Sequence, residues 1–208
     1  MNEKIKPFRV LSLDGGGMRG IYAGSYLGRL TENFAKKCGL EKIDLGAKFN
    51  LIVGTSTGSF IACGLAAEVP LFDMVNLYRE HGKLIFQLPL PTSAKGVVGD
   101  VLSRPKAIEA GEKSLRKALV QSFGDETLGE LYQRRRIALA IPSVEMGRHR
   151  GWVFKTSHLQ NSNKRDDSYS LADICLASSA APIYRSLAYL DVPNSDGIGA
   201  NVFCDGGL

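Results

Sequence analysis

The residues in this chain that could do chemistry gather in a few glycine-rich segments. Gly54-Thr55-Ser56-Thr57-Gly58 follows the apolar run Phe49–Val53 and precedes a stretch of small and apolar residues. A serine in G-x-S-x-G, between a strand and a helix, is the setting of a nucleophile elbow. Glycines on either side leave room for a tight turn that pushes the hydroxyl outward. The following helix aims its N–H groups at the place where negative charge develops. The bare pattern is common in a chain with 23 glycines. The strand before it and the helix after it favour Ser56 as a nucleophile over a plain glycine turn.

A second segment, Asp14-Gly15-Gly16-Gly17-Met18-Arg19-Gly20, follows the short β-rich run Phe8–Leu13. Successive glycines let backbone N–H groups converge on an anion, and acyl transfer needs such donors for its tetrahedral oxyanion. A rival reading uses the same residues. Gly15, Gly17 and Gly20 also satisfy G-x-G-x-x-G, the phosphate loop of a dinucleotide-binding unit. That unit needs an acidic residue about 20 positions on, at the end of a second strand. Glu41 and Asp44 stand at that distance but in a loop-like stretch.

A base for Ser56 must come from elsewhere. His81, His149 and His158 all precede Asp205, and none sits in a strand-end motif. The Ser–acid–His order of an α/β-hydrolase triad could still be met by His158 after an earlier acid such as Glu145. The other candidate is Asp205, delivered by the apolar Val202-Phe203-Cys204 to the C-terminal end of a strand, where α/β sheets build their sites. Read in isolation, Asp205-Gly206 is favoured as a plain turn.

The elements that must hold these residues alternate between strand and helix. A helix is predicted from Gly20 to Cys38, with Ile21, Leu27, Leu30 and Phe34 at helical spacings and Gly39 as its C-terminal stop. Further helices are predicted over Ser59–Ala67, from Pro70 to His81, over Glu112–Phe123, near Leu128 and over Leu171–Ala180. Strands are predicted at Phe49–Val53, Ile137–Val144, Trp152–Lys155, Leu187–Leu190 and Val202–Cys204. Prolines and glycines between 83 and 105 predict a long irregular excursion. The pattern indicates one α/β domain over residues 1–208, with a mostly parallel sheet.

Composition sets the outer limits. The 208 residues are 44% hydrophobic and carry a net charge of +5. One well-buried core is expected, not two. The short basic clusters Arg134–Arg136 and Arg148–Arg150 lack interleaved aromatics, so nucleic acid is not an expected partner. The four cysteines form no C-x-x-C pair and are read as reduced thiols of a cytoplasmic protein. No signal peptide or membrane-spanning run is visible.

Asp14-Gly-Gly-Gly-x-Arg-Gly, then Gly54-Thr-Ser-Thr-Gly, then Asp205-Gly-Gly, in that order, resembles the patatin-like phospholipase family, related to the cytosolic phospholipases. His81-Gly-Lys-Leu-Ile-Phe and Ala177-Ser-Ser-Ala-Ala-Pro agree with it, and the likeness runs over about residues 8–208. The resemblance, closest to bacterial members, implies a three-layer α/β/α fold and a lipid acyl hydrolase of phospholipase or galactolipase type. It implies a Ser–Asp dyad, with Ser56 as nucleophile and Asp205 as base. Gly15, Gly16 and Gly17 would form the oxyanion hole, supported by Arg19. Gly54 and Gly58 would flank the elbow. No metal or other cofactor is implied. The expected partner is a membrane phospholipid or other acyl lipid, met in transient contact with a membrane surface. The expected location is cytoplasmic or peripheral at membranes, and a homo-oligomer is left open. Some bacterial members are switched on by nucleotide signals. Family members usually continue past Asp-Gly-Gly, so a chain ending at Leu208 is expected to be a catalytic domain truncated at its C-terminus. The apolar substrate is expected to enter near residues 84–103. Two readings of other classes stand beside this one: a nucleotide-binding or signalling module using Gly15–Gly20, and a storage or interaction protein without turnover.

Overall fold

The computed structural model describes residues 7–85, 94–182, 184–191 and 200–208. Strand β1 (Val10–Leu13) leads through a 3₁₀ turn (Gly17–Arg19) into helix α1 (Gly20–Cys38). Strand β2 (Leu51–Gly54) leads into α2 (Gly58–Ala67), followed by α3 (Leu71–Ile85), α4 (Ala94–Phe123) and α5 (Leu128–Arg135). Then come β3 (Ala138–Glu145), β4 (Arg150–Lys155), α6 (Leu171–Ser178), β5 (Ala188–Asp191) and β6 (Ala200–Asp205).

This is an α/β fold around a mixed sheet. Strands β1, β2 and β3 are mutually parallel; β4 and β6 pair antiparallel with β3, and β5 pairs antiparallel with β6. One sheet face carries Leu13, Ile52, Leu139, Ile141, Phe154 and Phe203, all buried. Helices α2 and α6 pack on the strands, and α1, α3 and α4 pack outside them. Every residue of α2 up to Ala66 is buried, as a helix between a sheet and an outer helical layer must be. Residues of the other sheet face, such as Val10, Val153 and Tyr189, are exposed.

Local chemistry fixes the element ends. Gly39 takes φ +64° after α1, and the Leu40 N–H bonds back to the Ala35 carbonyl, a Schellman-type stop. Thr127 and Glu130 form a reciprocal capping box at the start of α5. Ser170 accepts the Asp173 N–H at the start of α6.

Two features depart from what the hydrophobic and break patterns suggest. Phe34, one of the apolar residues at helical spacing in α1, is exposed. The helix instead buries Gly20, Gly24 and Gly28, and a β-carbon at these positions would meet Tyr78, Val75 and Phe72 of α3 in turn. A glycine stripe lets two helix backbones approach closely, and hydrophobic spacing cannot reveal such a stripe. Second, the excursion expected over 83–105 is helical from Ala94 onward, with Pro105 inside α4. Proline removes one N–H donor and strains the preceding turn, but thirty residues of helix packed on α3 and α6 carry that local cost. The segment 86–93, and with it much of the expected substrate entrance, lies outside the described residues.

Candidate active site

The edge of β3 explains why Ser56 and Asp205 meet. Strand β2 runs along the first half of this edge, with Val53 opposite Ala140. Strand β6 runs along the second half in the opposite direction, with Asp205 opposite Ser143. The C-terminal ends of β2 and β6 therefore converge on the short gap between them. Pro142 stands at that gap. It has no N–H, so a missing neighbour strand there leaves no unpaired donor.

Ser56 sits two residues past the end of β2. Its φ is +52°, a strained backbone state for a residue with a side chain. Its carbonyl accepts the Ser59 N–H (2.9 Å) and the Ser59 hydroxyl, which ties the turn to the first turn of α2. The Ser56 hydroxyl is partly exposed and donates to Asp205 Oδ2 at 2.6 Å. The other Asp205 oxygen accepts the Gly207 N–H at 2.8 Å. Asp205 is 8% exposed, so this carboxylate has little contact with bulk water. Burial raises the neighbouring Cys204 thiol above its ordinary range, and the Asp205 charge adds to this.

The glycine loop is pressed against the same turn. A β-carbon on Gly15 would stand 2.7 Å from Ser56 Cβ and 2.9 Å from the Thr55 carbonyl oxygen. Gly58 lies against the carbonyls of Leu13 and Asp14, and Gly54 against the Gly58 carbonyl. Gly16 and Gly17 have φ of +127° and +59°, in the region that glycine tolerates best. Among the described residues, the amides of Gly15, Gly16 and Gly17 donate to no other backbone or side-chain group. The loop thus offers unpaired N–H groups beside the serine. Arg19 covers Gly16 with its side-chain stem, and its guanidinium forms no ion pair among the described residues.

The histidines stand in other settings. His81 Nδ1 lies 3.0 Å from the Ser114 hydroxyl, on α3 and α4. His158 Nδ1 contacts the Thr156 carbonyl at 2.9 Å. His149 occupies a positive-φ position in the turn between β3 and β4. None is hydrogen-bonded to Ser56 or Asp205. Glu41 and Asp44 lie in the loop before β2, and the second strand ends instead in the serine turn. Asp44 is engaged by Arg135 and by the Ala47 N–H. Among the described residues no cluster of three or more His, Cys, Asp or Glu could hold a metal ion. An apolar cavity of about 240 Å³, between the C-terminal half of α1 and the start of α3, contains none of the residues around Ser56.

Two nearby residues carry no role in the sequence reading. Ser178, at the end of α6, bonds the Ser56 amide. Arg185 follows Pro182; burial lowers its guanidinium to about 10, while the Glu112 and Asp205 carboxylates oppose that shift. Ser178 lies inside Ala177-Ser-Ser-Ala-Ala-Pro, which resembles the family as a string but shows no role until the chain is folded.

The model of the patatin-like phospholipase family matches residues 11–208. A curated cGAMP-activated phospholipase of Pseudomonas aeruginosa is 32% identical over 204 residues, covering 98% of this chain and 54% of the relative. Patatin-like protein 1 of Arabidopsis thaliana is 31% identical over 198 residues, covering 90% of this chain and 45% of the relative. The chain spans about half the length of the curated relatives it matches. Among solved structures, VipD from Legionella pneumophila superposes with a TM-score of 0.50 at 15% identity, over 98% of this chain and 46% of VipD. That likeness speaks to the fold alone.

Proposed function

We propose that this chain, which belongs to the patatin-like phospholipase family, hydrolyses fatty acyl esters of membrane phospholipids or galactolipids through an acyl-Ser56 intermediate. The observation that carries the reading is the 2.6 Å hydrogen bond from the Ser56 hydroxyl to Asp205 Oδ2.

In this mechanism the Ser56 oxygen attacks the acyl carbonyl carbon while its proton passes to Asp205. The C=O electrons move to oxygen, and the Gly15–Gly17 amides stabilise that charge, with Arg19 holding the loop in shape. Collapse expels the lipid alcohol, which takes the proton from Asp205. Water then attacks the acyl-serine while Asp205 accepts its proton, and collapse of the second tetrahedral intermediate releases the fatty acid as Asp205 returns that proton to the Ser56 oxygen. An aspartate with an ordinary pKa of about 3.9 is a weaker base than a histidine at about 6.5. The oxyanion donors offset this weakness, because charge is stabilised as it forms and no free alkoxide accumulates.

A location in the cytoplasm with peripheral contact at membranes suits such a substrate and belongs to the same proposal. Among the described residues no helix is long and apolar enough to cross a membrane. A relative activated by cGAMP supports a nucleotide signal as the regulator of the whole protein. The test is mass spectrometry of lipids released from phosphatidylglycerol–phosphatidylethanolamine vesicles, with and without cGAMP. Release of free fatty acid and lysolipid is the expected result. Intact lipids both with and without cGAMP would contradict it.

A further inference from the structure

We infer that Ser178 is a positioning residue that holds the nucleophile turn and the base in one frame; this rests on the Ser56–Asp205 reading above. Ser178 is the last residue of α6 and is completely buried. Its hydroxyl donates to the Pro142 carbonyl at 2.6 Å and accepts the Ser56 N–H at 2.9 Å. The directions are not interchangeable. The Pro142 carbonyl can only accept and the Ser56 amide can only donate, so a single hydroxyl must do both. The Ser178 carbonyl also accepts the Gly206 N–H at 3.0 Å, and two residues on the Ala180 carbonyl accepts the Asp205 N–H at 3.0 Å.

The consequence is geometric. Ser56 leaves the sheet where β2 ends, and Asp205 arrives where β6 ends. These two strands share an edge of β3 without pairing with each other. No ladder hydrogen bond therefore fixes their spacing. The end of α6 and the two residues after it replace that ladder: the Ser178 hydroxyl grips the serine turn, and the Ser178 and Ala180 carbonyls grip the aspartate turn. The strained φ of Ser56 makes the grip consequential, because a turn released from its amide bond can relax away from the exposed geometry. The Ser178 hydroxyl lies behind Ser56, on the backbone, and transfers no proton in the reaction. Its occupation of the Ser56 amide also removes that N–H from the set of oxyanion donors.

The test compares the full chain with Ser178→Ala, Ser178→Cys and Ser178→Thr. It reads kcat and KM on a soluble p-nitrophenyl ester, the rate of fluorophosphonate labelling, and Tm. A displacement of about 1 Å at a reacting group can cost about 100-fold, so Ala and Cys should lower kcat and labelling by about 10–100-fold with KM little changed. Cys nearly matches the shape of serine but is a weak donor and acceptor, so it carries the test if Ala fails to fold. Thr keeps the hydroxyl and should recover most of the lost rate. A well-folded Cys variant with wild-type kcat and labelling would overturn the inference, as would a loss confined to KM. A wild-type chain inert to both ester and probe would instead remove the parent reading, and this inference with it.

Discussion

Gly15 and Ser56 lie closer than any side chain would allow: a β-carbon on Gly15 would stand 2.7 Å from Ser56 Cβ. The glycine loop and the serine turn are therefore two halves of one surface, although 41 positions separate them in the chain. Gly15→Ala should displace the turn from Asp205 and lower ester hydrolysis by about 100-fold or more, since oxyanion and nucleophile geometry both change. Steady-state rates with a p-nitrophenyl ester, beside circular dichroism to confirm folding, check this. A folded Gly15→Ala enzyme with at least half the wild-type rate would show that the contact is not part of the machinery.

Asp205→Asn keeps the shape of the side chain but cannot take a proton from Ser56. Replacement of the aspartate that merely orients a triad histidine costs about 10⁴-fold, and direct loss of the base should cost at least as much. Pre-steady-state acylation measures it. Read as a turn residue only, Asp205 predicts a small change in Tm and retained turnover.

The three histidines should be dispensable for chemistry. His81 and His158 are occupied by Ser114 and Thr156, and His149 lies in a turn. Single changes to Gln should leave kcat within about threefold of wild type, well short of the 10²–10⁴-fold worth of a general base. A loss of three orders of magnitude from any one, with Tm unchanged, would restore a histidine mechanism.

Thr127→Ala should weaken the fold and spare the chemistry. It removes the capping box at α5, which is worth about 1 kcal/mol. Chemical denaturation should report a loss near that size, with ester hydrolysis per folded molecule unchanged. An unaltered midpoint would mean that tertiary packing alone holds the first turn of α5.

Much of the fold was legible in the sequence because strands and helices announce themselves by period and by their ends. Gly39 marks the stop of α1, and the strand-turn-helix around Ser56 lies within a residue or two of where the pattern puts it. What stayed hidden was relational. The convergence of β2 and β6 on one edge of β3 depends on register, which no local pattern encodes. Ser178 acts through backbone groups of residues 36 and 122 positions away, so its spacing carries no signal. Gly96 and Gly99 read as breaks although α4 runs through them from Ala94; the pattern does place α1 across its glycines, and only their packing against α3 stayed hidden. The candidate residues themselves were nameable from three short motifs, but only the folded chain puts a distance on the pair.

The most direct test of the central claim is intact-protein and peptide mass spectrometry after exposure to a fluorophosphonate probe. One adduct per chain is expected on Ser56, none in Ser56→Ala, and labelling slowed by about 10³-fold or more in Asp205→Asn, the scale of losing an activated nucleophile's base. An adduct on another residue, or equal labelling of Ser56 with and without the Asp205 carboxylate, would contradict it.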